Sequence, residues 1–237
     1  MYGVKYMIVK LANCIIEIKS RYKYTFDMCS DYLYNGDKKV DFTVFATDEQ
    51  LKEEAEKSSG FTIDVIENTC IYKNICTEIL KYDALFIHSA AISVDNEAYL
   101  FSANSGTGKT THMNLWLDKF GERAFIINGD KPILRCIDDK IYVFGTPWCG
   151  KEGYNKNVCV PLKGICVLEQ AKENSIVKMD SKSSLMFLLT QTIHPKTSVY
   201  TNLMLDNLGK VIDSTPVYKL SCNMEPEACE ICYEAMK

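Results

Sequence analysis

The residues of this chain best suited to chemistry lie in the run Ala103-Asn104-Ser105-Gly106-Thr107-Gly108-Lys109-Thr110-Thr111. Glycines at 106 and 108 let backbone N–H groups turn inward around phosphate oxygens with no Cβ in the way. Lys109 would reach the outer phosphates of a triphosphate, and Thr110 would offer its hydroxyl to Mg²⁺. Asn104, Ser105, Gly106, Thr107, Gly108, Lys109, Thr110 and Thr111 are therefore the candidate nucleotide-binding residues. Ala103 stands where the pattern G-x-x-x-x-G-K-[ST] has its first glycine, which alanine can replace where φ stays negative. A Gly-rich turn carrying a surface lysine is the alternative.

A second candidate lies downstream. The apolar run Ala124-Phe125-Ile126-Ile127 reads as a buried strand and delivers Asn128-Gly129-Asp130-Lys131 at its end. A carboxylate there is suited to hold Mg²⁺ from the side opposite Thr110. Asn-Gly and Gly-Asp pairs also form turns, so a purely structural bend is the competing reading.

Elements of the right kind flank both candidates. Glu97–Ser102 is strand-like before the loop. Met113, Trp116, Leu117 and Phe120 recur at i, i+3, i+4 and i+7 behind it, and Gly121 sits where a helix ends. Strand, glycine loop and helix form the context in which this motif cradles phosphate, because the helix start adds unpaired N–H groups and a positive dipole end.

The remaining chain supplies further elements. Residues 1–45 alternate apolar and polar side chains and read as strands, with a turn at Asn35-Gly36-Asp37. Asp48–Lys57 reads as a charged helix ended by Ser58-Ser59-Gly60, and Asn68–Tyr82 as a second helix. Strands are expected at Leu85–Val94, Ile133–Cys136, Lys140–Phe144, Lys163–Glu169 and Val217–Leu220. Helices are expected at Ser183–Thr192, at Val199–Leu208 stopping at Gly209, and at Glu225–Met236. No repeat or low-complexity linker interrupts 1–237. One compact domain is expected, with a β-rich part over 1–70 and a core over 70–237.

Composition narrows the partners. With 47% hydrophobic and 24% charged residues the chain is ordinary for a globular protein. A net charge of −4 speaks against nucleic acid. No apolar run reaches the length of a membrane span, and Met1-Tyr2-Gly3-Val4-Lys5-Tyr6 lacks a signal-peptide pattern. Eleven cysteines in such a chain point to reduced thiols and a cytoplasmic location. Cys229-x-x-Cys232, with Cys222, has metal-like spacing, but Cys232 falls on the apolar face of the last helix and reads as core.

From Leu85 onward the sequence resembles the HPr kinase/phosphorylase-like family. The motifs are His88-Ser89-Ala90-Ala91, Ser105-Gly106-Thr107-Gly108-Lys109-Thr110 and Asn128-Gly129-Asp130-Lys131-Pro132. Gly145-Thr146-Pro147-Trp148-Cys149-Gly150-Lys151 and Leu162-Lys163-Gly164-Ile165-Cys166-Val167-Leu168-Glu169 extend the match. The resemblance covers about 70–237. It implies an α/β P-loop-containing fold of the HPr kinase/carboxykinase type, with a mixed central sheet and a β-rich N-terminal part. It also implies ATP with Mg²⁺, and a kinase acting on a hydroxyl or carboxylate of a small-molecule or peptide phosphoryl acceptor. A homo-oligomer is compatible with it.

Lys109, Asp130 and His88 are the implied catalytic residues, Thr110 and Asp130 the metal ligands, and Lys151 and Lys156 the substrate contacts. The family carries paired aspartates after the second strand, and here Gly129 replaces the first. Asp130 must then serve as both base and metal ligand, or His88 must act as base; a histidine satisfied within the sheet is the alternative. Lys131 and Arg135 are weaker anion candidates, Trp148 a pocket wall or core residue, and Glu169 a metal-proximal group or an edge charge. Two other functions stay open: a carboxykinase-like enzyme, which the three arginines Arg21, Arg123 and Arg135 disfavour, and a catalytically idle nucleotide-binding module.

Overall fold

The computed structural model describes residues 4–58, 60–103 and 108–237. Asn104, Ser105, Gly106 and Thr107, the centre of the expected phosphate loop, lie outside the described residues. So do Met1-Tyr2-Gly3 and the helix end expected at Ser59. The chain divides into two compact units, 1–82 and 83–237. The division expected near residue 70 falls inside a helix of the first unit.

In the first unit, β1 (Lys5–Leu11) and β2 (Cys14–Ser20) form an antiparallel hairpin. Its turn is Ala12-Asn13, both with positive φ, the pairing that suits strand twist. The turn expected at Asn35-Gly36-Asp37 is instead part of a bent loop that joins no hairpin. Residues Lys23–Met28 fold as helix α1 rather than strand. Thr25 is buried and Lys23 reaches Asp27 one turn on at 2.5 Å, so local pairing prevails over the β-propensity of Tyr24, Thr25 and Phe26.

β3 (Phe42–Val44) runs parallel to β2. Helix α2 spans Asp48–Lys57, as its charge pattern predicts. Its capping box joins the Thr47 hydroxyl to the Gln50 N–H, and the Gln50 side chain to the Thr47 N–H. Helix α3 (Ile63–Glu78) starts five residues before the expected Asn68 and buries Ile66, Glu67, Ile71 and Ile75. The fully buried Glu67 accepts from the Ser20 hydroxyl at 2.5 Å and from the backbone N–H groups of Arg21 and Tyr22, and pairs with the Arg21 guanidinium at 3.2 Å. A buried carboxylate persists only when paired in this way.

The second unit is a mixed α/β assembly. Its strands are β4 (Ala84–Phe86), β5 (Ala90–Val94), β6 (Glu97–Ser102), β7 (Ala124–Asn128), β8 (Ile133–Ile137), β9 (Lys140–Phe144), β10 (Cys159–Gln170), β11 (Ser175–Lys178) and β12 (Val217–Cys222). Its helices are α4 (Lys109–Phe120), α5 (Ser181–Thr190), α6 (Ser198–Ser214) and α7 (Pro226–Met236). The strand order is β4-β8-β9-β10-β6-β5-β7, with β12 also on β10 and β11 outside β12. Strand β11 is absent from the sequence reading: Ser175–Lys178 is short and largely exposed at the sheet edge. Gly209 does not stop α6, because its missing side chain faces open space and the helix loses only propensity there.

Direction matters more than order. β6 and β12 run parallel to β10, and β5 runs antiparallel to both β6 and β7. The carboxyl ends of β6, β7, β10 and β12 therefore emerge together. α4 leads from β6 to β7, and the core beneath it and α7 contains Tyr99, Phe101, Met113, Trp116, Leu168, Leu220 and Met236. In open α/β sheets ligands bind at such a rim.

Candidate functional site

β5 and β6 are buried almost throughout, so their ends are rigid supports. At the end of β6, Ala103 is buried and its carbonyl accepts from Lys109 Nζ at 3.4 Å. Gly108 caps α4 with φ of 106°, a conformation open to glycine, and accepts the first helical bond from His112 at 2.9 Å. Thr110 is half-buried and Thr111 exposed in that first turn.

The end of β7 is built around Asn128, which is fully buried. Its side-chain oxygen accepts from the backbone N–H groups of Asp130 (2.9 Å) and Lys131 (2.8 Å). Its amide donates to the Thr146 carbonyl (3.0 Å) and lies 3.2 Å from the Thr146 hydroxyl. The turn therefore ends in a fixed Asp130. Sequence reading takes Asn128 only as a turn former; an Asn closing an apolar strand was the available signal for this larger role.

His88, in the bend before β5, meets that carboxylate. Its Nε2 lies 3.1 Å from Asp130 Oδ1, while Lys131 Nζ donates to Oδ2 at 2.7 Å. The backbone holds the pair in register: Ser89 N donates to the Asp130 carbonyl at 3.0 Å, and Ser102 Oγ donates to the His88 carbonyl at 2.9 Å. Burial pushes the Asp130 carboxyl up, but the hydrogen bonds and charge of His88 and Lys131 outweigh it and set its pKa at about 2. An ionised carboxylate can only accept, so His88 carries a proton on Nε2, which leaves Nδ1 as its other protonation site.

Lys109 belongs to the same electrostatic group. Burial lowers its ammonium pKa, the Asp130 charge raises it, and the neighbouring Lys131 charge lowers it again. Lys109 thus feels the charges of Asp130 and Lys131, while Asp130 itself contacts His88 and Lys131, so two ammonium groups act on one carboxylate. Lys131 exceeds the weak role read from sequence, since it is Asp130's direct partner.

The 145–158 segment closes over the β7 end. Gly129 N donates to the Tyr154 carbonyl at 2.8 Å, Lys156 N to the Ile127 carbonyl at 2.9 Å, and Asn155 bridges to Asn128. A Cβ at Gly129 would stand 2.8 Å from the Cys149 carbonyl oxygen, so this position excludes an aspartate. Gly150 also packs close, where a Cβ would lie 3.2 Å from that of Asp130. Lys151 follows it, exposed in the turn.

The Lys156 ammonium lies 4.4 Å from the centroid of the Phe125 ring, as a cation–π contact rather than beside Asp130. Glu169 pairs with Lys219 at 3.0 Å on the surface and stands as an edge charge. Trp148 is buried edge-on to Phe86 with ring centroids 5.8 Å apart, a packing role. Cys229 and Cys232 are core thiols; burial pushes the Cys229 thiol up to about 12. Among the described residues no three His, Cys, Asp or Glu side chains group so as to hold a metal, and no helix is long and apolar enough to cross a membrane.

No family model and no curated protein matches this chain. Among solved structures, the Hpr(Ser) kinase/phosphatase from Coxiella burnetii is similar at 8% identity and a TM-score of 0.37, over 63% of this chain and 95% of that one. The likeness is loose, and no residue role is drawn from it.

Proposed function

We propose that the chain is a Mg²⁺-ATP-dependent phosphotransferase of the HPr kinase-like type, acting on a hydroxyl or carboxylate of a small molecule or peptide. The observation that carries this reading is the convergence of Lys109, at the start of α4, with the His88–Asp130–Lys131 group at the end of β7. Phosphoryl transfer needs positioning and charge neutralisation more than covalent help, and two lysines with one ionised carboxylate suit both.

Each residue has a distinct task in this reading. Lys109 draws the outer phosphates toward the first turn of α4, whose N–H groups add to the pull. Asp130 retains lone pairs beyond those used by His88 and Lys131, so it fits a divalent ion shared with Thr110. When bound, Mg²⁺ would neutralise charge on the phosphates. His88, oriented through Nε2 by Asp130, accepts the acceptor hydroxyl's proton at Nδ1. This division stands in for the first aspartate of the pair, which Gly129 excludes. Lys151 remains the substrate-contact candidate in the closing segment; Lys156, held on Phe125, is the weaker one.

The carboxykinase alternative loses support, because two of the three arginines are engaged elsewhere: Arg21 with Glu67 and Asp48, and Arg123 with Asp95. An idle nucleotide-binding module remains the second reading, favoured by the occupation of both Asp130 oxygens by His88 and Lys131.

The test is a phosphoryl-transfer screen against free serine, small hydroxy compounds and short Ser-terminated peptides, alongside thermal shifts with Mg²⁺-ATP. The kinase reading expects transfer that is lost in Lys109→Ala together with the thermal shift, while the fold is kept. A wild-type shift without transfer or hydrolysis favours the idle module. A shift unchanged in Lys109→Ala refutes the phosphate site itself.

A further inference from the structure

The segment that closes over the β7 end makes a tight turn from Gly150 to Gly153. Gly153 N donates to the Gly150 carbonyl at 3.4 Å, and both glycines have positive φ, 83° and 71°. Lys151 and Glu152 stand at the centre of this turn. Its far end is tied to the site, because the Tyr154 carbonyl accepts from Gly129 N at 2.8 Å.

Glu152 is exposed, yet its carboxylate folds back toward Asp130. A Cβ at Gly150 would lie 3.8 Å from Asp130 Cγ and 3.6 Å from Glu152 Oε2, so the two carboxylates flank one position that glycine leaves without a side chain. Their partners differ. His88 and Lys131 engage both oxygens of Asp130, whereas Glu152 has no hydrogen bond or ion pair among the described residues.

This placement has an electrostatic consequence. Lys109 and Lys131 are suited to phosphate, and an unpaired carboxylate nearby repels the same phosphates until a cation stands between them. Mg²⁺ is assigned to Asp130 and Thr110, so the cation facing Glu152 falls to the acceptor, whose candidate contact Lys151 lies in the same turn. An ammonium group suits such a carboxylate, having three donors on a compact charge. Lys151 offers the opposite charge, so the turn complements the two charged groups of an amino acid. We propose that Glu152 binds the ammonium group of an acceptor that carries it close to its hydroxyl, serine being the simplest hydroxy amino acid of this class. The assignment rests on the phosphotransferase reading above.

The test measures, by calorimetry, binding of serine and of glycerate, which has a hydroxyl in place of the ammonium. The full chain is first loaded with Mg²⁺ and a non-hydrolysable ATP analogue. Serine should bind about fivefold more tightly than glycerate, the upper end for an ion pair at an open site. Glu152→Gln, at an exposed turn position that folding does not need, should abolish that difference by weakening serine, with glycerate kept within about twofold. Glu152→Asp keeps the charge and should keep serine the tighter ligand. Glycerate binding as tightly as serine, neither acid binding while the analogue does, or serine affinity unchanged in Glu152→Gln overturns the ammonium site and leaves the phosphotransferase reading standing. So does a Glu152→Gln variant that weakens Mg²⁺ and both acids alike, which makes the carboxylate a metal ligand. An analogue that does not bind overturns the phosphate site, and the acceptor assignment with it.

Discussion

Gly129 and the carbonyl of Cys149 are packed so closely that a Cβ on the glycine would lie 2.8 Å from the oxygen. The contact is to backbone, which cannot rotate away as a side-chain tip can. Gly129→Ala should therefore destabilise the protein by about 1–3 kcal/mol, the usual range for overpacking. Gly129→Asp, which would set two carboxylates side by side, should destabilise more and raise no activity. Denaturant unfolding of both variants checks this; wild-type stability in either would show that the 145–158 segment yields easily.

Asp130 predicts a pH dependence of defined sign. Its folded pKa of about 2 lies below the ~3.9 of an unfolded aspartate. The stabilisation it contributes is therefore present above about pH 4 and lost as pH falls toward 2. Asp130→Asn removes that contribution, so the stability gap between wild type and variant should shrink across this window. Urea unfolding at stepped pH measures it, and a gap that stays constant from pH 4 to 2 contradicts the pairing with His88 and Lys131.

If His88 accepts the proton at Nδ1, His88→Ala should lower the transfer rate about 10²–10⁴-fold, the usual weight of general-base catalysis. Mg²⁺-ATP affinity should move little, because the phosphates are assigned to Lys109. Single-turnover kinetics with parallel calorimetry separates the two quantities. A loss confined to nucleotide affinity would make His88 a structural partner of Asp130 and nothing more.

Local pattern made much of this arrangement legible. The apolar spacing from Met113 to Phe120 marks α4, and the run 124–127 marks β7, so Lys109 could be placed at a helix start and Asp130 at a strand end from neighbours alone. His88 required a family resemblance, since a histidine before a strand carries no local signal. The contacts of the 145–158 segment were not legible: the Gly129–Cys149 approach and the Lys156–Phe125 contact join residues 20 or more positions apart through tertiary packing. Lys23–Met28 misleads for the opposite reason, because its aromatic and β-branched residues favour strand until Thr25 is buried.

In the first unit, Glu67 tests how far a buried carboxylate organises a fold. Its side chain is 1% exposed and satisfies Ser20, the N–H groups of Arg21 and Tyr22, and the Arg21 guanidinium. Glu67→Ala removes the acceptor these groups share, although Ser20 still reaches the Tyr22 carbonyl and Arg21 still pairs with Asp48, and should destabilise by about 3–5 kcal/mol. Glu67→Gln keeps one carbonyl acceptor and should lose less. Equal losses in equilibrium unfolding would mean that the charge, not the hydrogen bonding, is what matters.

His112 gives the most direct readout of helix α4. Burial pushes its imidazole pKa down to about 4, against ~6.5 when unfolded. Between these values the unfolded chain binds more protons, so stability should fall as pH drops from 6.5 to 4, by at most about 3 kcal/mol. Protonating Nε2 would also remove the acceptor of the Trp116 N–H. His112→Gln can keep that acceptor without titrating, so its stability should be flatter across the same window. Chemical unfolding of both proteins at pH 7, 6, 5 and 4 decides the matter: equal slopes would show that His112 takes up its proton without disturbing the Trp116 contact, and that the ring is not held neutral by its burial.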